Sequence, residues 1–223
     1  MGWGMHPYHC ERNLTSSQAL TINILSMFAT DTALGARAMN ALMDRTDVEE
    51  LETVEIEYAP RRPSSLLGDK TRVDALLTLR TRGGNREVVC LEVKLLERLN
   101  SRQISLDRNS RMRDVMRTLR IWHWTDPGEV PTSFNQLFRC QVLAAATAQF
   151  RDVKATATSL LVVHHPDDAE TSRVAIDYKG HLADSRLVHV RSFTDFVESI
   201  EANSSARPAK VVAAGFRRRY CGS

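Results

Sequence analysis

Cysteine is scarce in this chain, and no two cysteines stand close together. Cys10, Cys90, Cys140 and Cys221 are spread over 223 residues without a C-x-x-C pair. That spacing speaks against a structural zinc site and against a disulfide framework. No window approaches the ~20 apolar residues of a membrane span. The opening "MGWGMHPYHCERN" lacks the apolar stretch of a signal peptide. The expectation is a reduced, cytoplasmic protein without membrane contact. An excess of one charge is missing too: the net charge of +3 is too mild to imply nucleic-acid binding by itself. There is no G-x-x-x-x-G-K-[ST] loop for ATP-driven translocation, no G-x-S-x-G elbow and no H-E-x-x-H pair. Repeats and low-complexity tracts are absent.

What remains is an ordinary globular composition, 43 % hydrophobic and 26 % charged, with length for one sizeable core. Ser16 or Ser17 is placed to cap a helix through "QALTINILSMF", and Asp31 or Thr32 a second through "ALGARAMNALMD", with Leu34, Ala38, Met39 and Leu42 inward. "TVEIEYA" then alternates, putting Val54, Ile56 and Tyr58 on one face and Glu55 and Glu57 on the other. "RVDALLTLR" and "EVVCLEVKLL" read as strands joined by the glycine hairpin "TRGGN". "SFNQLFRCQVLAAATAQF" reads as a buried helix capped by Ser133. "TSLLVVHH" reads as a strand, "RVAIDY" as a weaker one, and two helices follow from Ser192 or Thr194 and from Pro208. This order predicts an α/β fold with a mixed central sheet flanked by helices. Residues 1–13 are expected to be an N-terminal extension and 14–220 a single domain.

The stretch "CLEVKLLE" carries an acid and an amine two residues apart in an apolar strand. Residues i and i+2 of a strand share a face, so Glu92 and Lys94 emerge together. If the hairpin centres on Gly83, Asp74 faces Glu92; if on Gly84, it faces Lys94. A loop of even length would put Asp74 on the wrong face. Two carboxylates held close repel unless a cation lies between them, and hard oxygen ligands with room for water suit Mg²⁺ or Mn²⁺. Such an ion lowers the pKa of a bound water, and the ammonium beside it can orient that water or offset phosphorane-like charge. Asp74, Glu92 and Lys94 therefore suit phosphodiester hydrolysis, with Asp74 and Glu92 as the metal ligands. The competing reading is a loop-capping Asp74 beside a solvated Glu92–Lys94 pair. Glu57 is a candidate third carboxylate, or a solvated strand residue beside Glu55.

"VDALLTLR" followed by "CLEVKLLE" resembles the PD-(D/E)xK nuclease superfamily, the restriction-endonuclease-like fold. The resemblance extends to "SSQALTINIL", "LGDKTRVDALL", "NQLFRCQVLAA" and "LLVVHHPDD", and so to residues 14–220 of an uncharacterised bacterial branch. It departs at Val73, where the family motif has proline. It implies a restriction-endonuclease-like core, a catalytic set of Asp74, Glu92 and Lys94, and a metal-dependent endonuclease or exonuclease acting on DNA in preference to RNA. It adds Gln136 as a glutamine near metal and phosphate, with Arg139 one turn on as a phosphate contact. Dimerisation is common in the family, so a homodimer is one expectation, and an unidentified protein partner supplying recognition is another. The alternative from a different class is a catalytically inactive nucleic-acid- or protein-binding module on the same fold.

Charge distribution adds one more candidate. Residues 95–120 hold seven arginines against Glu97, Asp107 and Asp114, a local excess of four positive charges. Arg113, Arg117 and Arg120 recur at helical spacing opposite Met112, Val115, Met116 and Leu119. They suit a phosphate-backbone rail, or the solvated face of an amphipathic helix. Trp122 and Trp124 read as core anchors before base-stacking platforms. His164 and His165, at a strand end beside Asp167 and Asp168, are read with the turn at Pro166 and not as a metal cluster.

Overall fold

Every strand of the sheet meets its neighbour in sequence order, β1-β2-β3-β4-β5, but the pairing changes sense halfway across. β1 (Val48–Tyr58), β2 (Val73–Thr81) and β3 (Arg86–Lys94) form an antiparallel meander. β4 (Ala155–His164) and β5 (Val188–Ser192) continue it in parallel, so the connections into them must cross over. The computed structural model describes residues 17–60, 66–68, 71–95, 99, 106–107, 109–150 and 153–221. The expected N-terminal extension, the Ser16 cap and Arg98, Arg102 and Arg108 lie outside the described residues.

Helices cover both faces of the sheet. On one side α1 (Ser17–Thr30), α2 (Thr32–Leu42), α6 (Phe193–Asn203) and α7 (Arg207–Tyr220) meet Ala75, Leu77, Val89, Leu91, Val93, Leu161 and Val163. On the other, α3 (Ser110–Leu119), α4 (Asn135–Phe150) and α5 (Ala169–Lys179) meet Leu76, Val88, Cys90, Leu160 and Val162. This alternation follows from the two-residue period of a strand. Because both faces are covered, β3 is buried almost from end to end, which is why its sequence is apolar on both faces.

The expected mixed α/β architecture is present, and several local expectations hold. Asp31 caps α2 by accepting the Leu34 N–H at 2.8 Å, and Ser192 with Asp195 forms a capping box on α6. In the hairpin, Thr81 N–H donates to the Asn85 carbonyl at 2.8 Å around Arg82, Gly83 and Gly84. Gly83 and Gly84 have φ of +95° and +80°, a left-handed backbone that glycine adopts without a Cβ clash.

Two expectations need correction, and one strand was not foreseen. "RVAIDY" is not a strand but part of α5, whose first turn is held by Asp168 accepting the Thr171 N–H. Thr171, Val174, Ala175 and Tyr178 are buried at helical spacing while Ile176 is 57 % exposed, so the helical period wins. Ser133 lies inside a short 3-10 turn, Thr132–Phe134, that leads into α4. Tyr58 leaves the Val54–Ile56 face and packs on the α3/α4 side, after Glu57 takes a left-handed φ of +52°. Strand β5 was not foreseen: five residues, mostly half-buried, carry little periodic signal.

Candidate active site

Asp74 is the second residue of β2, and Glu92 and Lys94 close β3. Ala75 pairs with Leu91 and Arg80 with Arg86, so the hairpin centres on Gly83 and the same register sets Asp74 opposite Glu92. Opposed residues of an antiparallel pair share a face. One oxygen of Asp74 accepts the Val93 N–H at 2.7 Å, which ties the carboxylate to the end of β3. On the far side of β2, Ile56 pairs with Ala75 and Tyr58 with Val73, so Glu57 stands beside Asp74. Three carboxylates thus cross the sheet in a row.

The Glu92 side chain is 3 % exposed, and both its oxygens are engaged. Lys94 Nζ lies 2.8 Å from Oε1. Gln136 donates its Nε2 to the same oxygen. On Oε2 the partner is the Cys140 thiol, with Sγ at 3.4 Å. Gln136 and Cys140 stand one turn apart on α4, the helix packed over β3 and β4. Cys90, two residues before Glu92 on the same face, neighbours the Cys140 thiol.

Burial and like charge dominate the electrostatics of Asp74. The Asp74 carboxyl is pushed well above the ordinary carboxylate range, first by burial and then by the charge of Glu92. Lys94 and the Val93 N–H oppose that rise, and Glu57 adds to it. The Cys140 thiol is also pushed well up, by its hydrogen bond with Cys90, by burial and by Glu92, so it keeps its proton. Glu57 is held by Arg72, whose Nη1 lies 3.6 Å from Oε2, and its side chain is only 9 % exposed. The solvated-glutamate reading of Glu57 therefore does not hold. Its left-handed backbone costs a non-glycine residue about 1–2 kcal/mol, strain of the sort that gathers at functional sites.

Other candidates fall in different places. Arg139 lies on α4, three residues beyond Gln136, and is half-buried. Arg113 is not free to contact phosphate: it bonds the Asp126 carboxylate and the Asp107 carbonyl, bracing α3 against a neighbouring turn. Arg117 and Arg120 are exposed, but Arg120 follows the helix as a left-handed C-cap at φ +52° and does not continue its face. Trp122 is buried, donating Nε1–H to Gln141 and Tyr178, and Trp124 stacks on His181 at 4.7 Å. Both indoles serve the core.

Two neighbours of the site were not anticipated. His164 is not in a loop; it ends β4, 7 % exposed, in register with Lys94 and so on the Glu92–Lys94 face. Its Nδ1 lies 2.8 Å from the His165 carbonyl oxygen. Only the parallel register could reveal it. Cys140 carried a fainter signal, four residues after Gln136 and hence on the same side of a helix.

The chemistry of the donor set fits a hard divalent cation. Among the described residues no group of three or more His, Cys, Asp or Glu side chains forms a ready cage. Asp74 and Glu92 would supply two carboxylates and leave the remaining positions to water, as Mg²⁺ prefers. Burial and the charge of Glu92 raise Asp74, and a cation held there would oppose that rise.

No helix among the described residues is long and apolar enough to cross a membrane. No curated protein and no solved structure matches the chain. The family model of the PD-(D/E)XK nuclease superfamily matches residues 1–222, nearly the full length. With a five-stranded mixed sheet between helical layers, and an acid opposite an acid-x-lysine strand, the chain belongs to the PD-(D/E)XK nuclease superfamily.

Proposed function

We propose that this protein is a metal-dependent nuclease that hydrolyses phosphodiester bonds, in DNA rather than RNA, from one domain over residues 14–220. The observation that carries the reading is the register that sets Asp74 opposite Glu92, with Lys94 on the same face. Asp74 and Glu92 would hold Mg²⁺ or Mn²⁺, which when bound acidifies a water and offsets phosphate charge. Lys94 donates from a fixed place beside Glu92, where its ammonium orients the attacking water and stabilises charge building on phosphorus-bound oxygens. Gln136 holds the Glu92 carboxylate from α4, and Glu57 deepens the negative recess that draws the cation. Arg117, Arg120 and Arg139 are the arginines we assign to the phosphate backbone. The preference for DNA rests on the likeness of the core to restriction endonucleases.

The test is cleavage of supercoiled plasmid, single-stranded DNA and single-stranded RNA with Mg²⁺ or Mn²⁺, wild type beside Lys94→Ala. We expect metal-dependent nicking or degradation of the DNA substrates, falling by about 10²-fold or more in the variant. Nicked circles would identify an endonuclease, and shortening only from ends an exonuclease. A wild type inert on all three polymers, yet shifting DNA in a salt-sensitive way, would replace this reading with the inactive binding module.

A further inference from the structure

Glu92 is unusual in this site because its two oxygens are held by one helix from two successive turns. Gln136 and Cys140 are related by i, i+4 on α4, so both side chains lean over the same line of β3. The amide reaches Oε1 and the thiol reaches Oε2 at 3.4 Å. We propose that Cys140 is a positioning residue: its S–H, donated to Oε2, and the Gln136 amide on Oε1 lock the plane of the Glu92 carboxylate before a cation binds. This rests on the reading of Asp74 and Glu92 as the metal-holding pair.

The physical case is one of satisfaction and freedom. Glu92 is buried, so an oxygen that loses its donor keeps its desolvation cost. A carboxylate gripped at one oxygen can turn about its terminal bond, whereas one gripped at both cannot. Thiols are weak donors to neutral acceptors, but an ionised carboxylate strengthens the bond. Cys90 and Cys140 are 0 % and 1 % exposed. They are sealed from oxidants, so the pair does not act as a redox switch. Filling space alone would be served equally by valine, and that distinction makes the proposal testable.

The experiment measures Mn²⁺ binding to the full chain by the loss of the free-ion electron paramagnetic resonance signal, without any nucleic acid. Wild type is compared with Cys140→Ser, which keeps a donor, Cys140→Val, which keeps the volume, and Cys140→Ala. Supporting ligands of this type are worth 10- to 100-fold in metal affinity, so we expect Ala and Val to bind about 10-fold more weakly and Ser to stay within about twofold of wild type. Raman spectra provide a second readout: the S–H stretch lost on Cys140→Ala should lie below that of an unbonded thiol. Thermal melts identify any variant that fails to fold, and if valine is not accommodated the Ser–Ala comparison decides. Mn²⁺ affinity unchanged in Ala or Val, or as weak in Ser as in Ala, would overturn the positioning role while leaving the metal pair intact. A wild type that takes up no Mn²⁺ would instead overturn the metal reading of Asp74 and Glu92, and Cys140 positioning with it.

Discussion

Asp74 is held in the site at a cost to its ionised form. Its folded pKa is raised, by burial before anything else, so its ionisation is disfavoured in the native state. The sign follows from linkage: whatever Asp74 contributes to stability is present at low pH and is lost as pH rises through its raised pKa. Asp74→Asn removes that liability while keeping an oxygen for the Val93 N–H. In metal-free buffer at pH 8 we expect the variant to be more stable by about 0.5–2 kcal/mol, or a few degrees in Tm at roughly 2–4 °C per kcal/mol for this size. At pH 4 the gap should close. Equal melting temperatures at pH 8 would mean that the carboxylates are already compensated. The same substitution should abolish cleavage, so stability and activity move in opposite directions.

Helix α3 shows how a periodic pattern can be right about burial and incomplete about function. Its apolar side was legible: Met112, Val115 and Met116 are buried as their spacing requires. Its basic side is divided, because Arg113 is bonded to Asp126 and Asp107 whereas Arg117 and Arg120 are exposed. Double-stranded DNA binding should therefore respond to the two groups differently. Replacing Arg117 and Arg120 by Ala should lower the slope of log K against log salt by about 2, one phosphate contact each. Arg113→Ala should leave the slope unchanged, since its ion pair is internal. A reduced slope for Arg113→Ala alone would reverse this assignment. α5 teaches the complementary lesson: "RVAIDY" fits a period of two and a period of 3.6 equally well over so few residues. Only the Asp168 cap and the exposure of Ile176 separate them.

At the scale of the whole molecule, the end of the sheet away from the catalytic residues carries its own buried charge. Arg45 bonds Glu87 and Asp47, and Ser159 donates to Glu87, closing the sheet beneath α2. On β5, the His189 pKa is lowered from 6.5 to about 4, by burial first and then by Arg191 and Lys179, with Asp44 opposing and Arg45 adding to the fall. A lowered folded pKa means that stability is present above the unfolded value and is lost as pH drops from 6.5 towards 4. A fully shielded shift of that size would be worth about 3 kcal/mol. His189 is half-buried, and screening reduces the expected effect to on the order of 1 kcal/mol. Urea midpoints at pH 7.5 and pH 5 should fall further in wild type than in His189→Gln by that amount. Parallel losses in the two proteins would show that His189 does not govern acid stability.

The sequence by itself determined what depends on one element or one tight turn. Glu92 and Lys94 share a face because a strand has a period of two, and two adjacent glycines permit an odd turn, although only the paired strands show that it centres on Gly83 and sets Asp74 opposite Glu92. The mixed sheet followed from a hairpin meander and then strands alternating with helices. Only the tertiary structure decided which residues of other elements complete the site. Glu57 reaches Asp74 through a second strand pairing, and Gln136 and Cys140 reach Glu92 across 44 and 48 residues. His164 joins Lys94 through the register of a parallel pair. Periodicity says which way a side chain leaves its own backbone. The rotation of α4 over β3 and the offset of β4 along it depend on how both cores pack at once, and no local pattern encodes that.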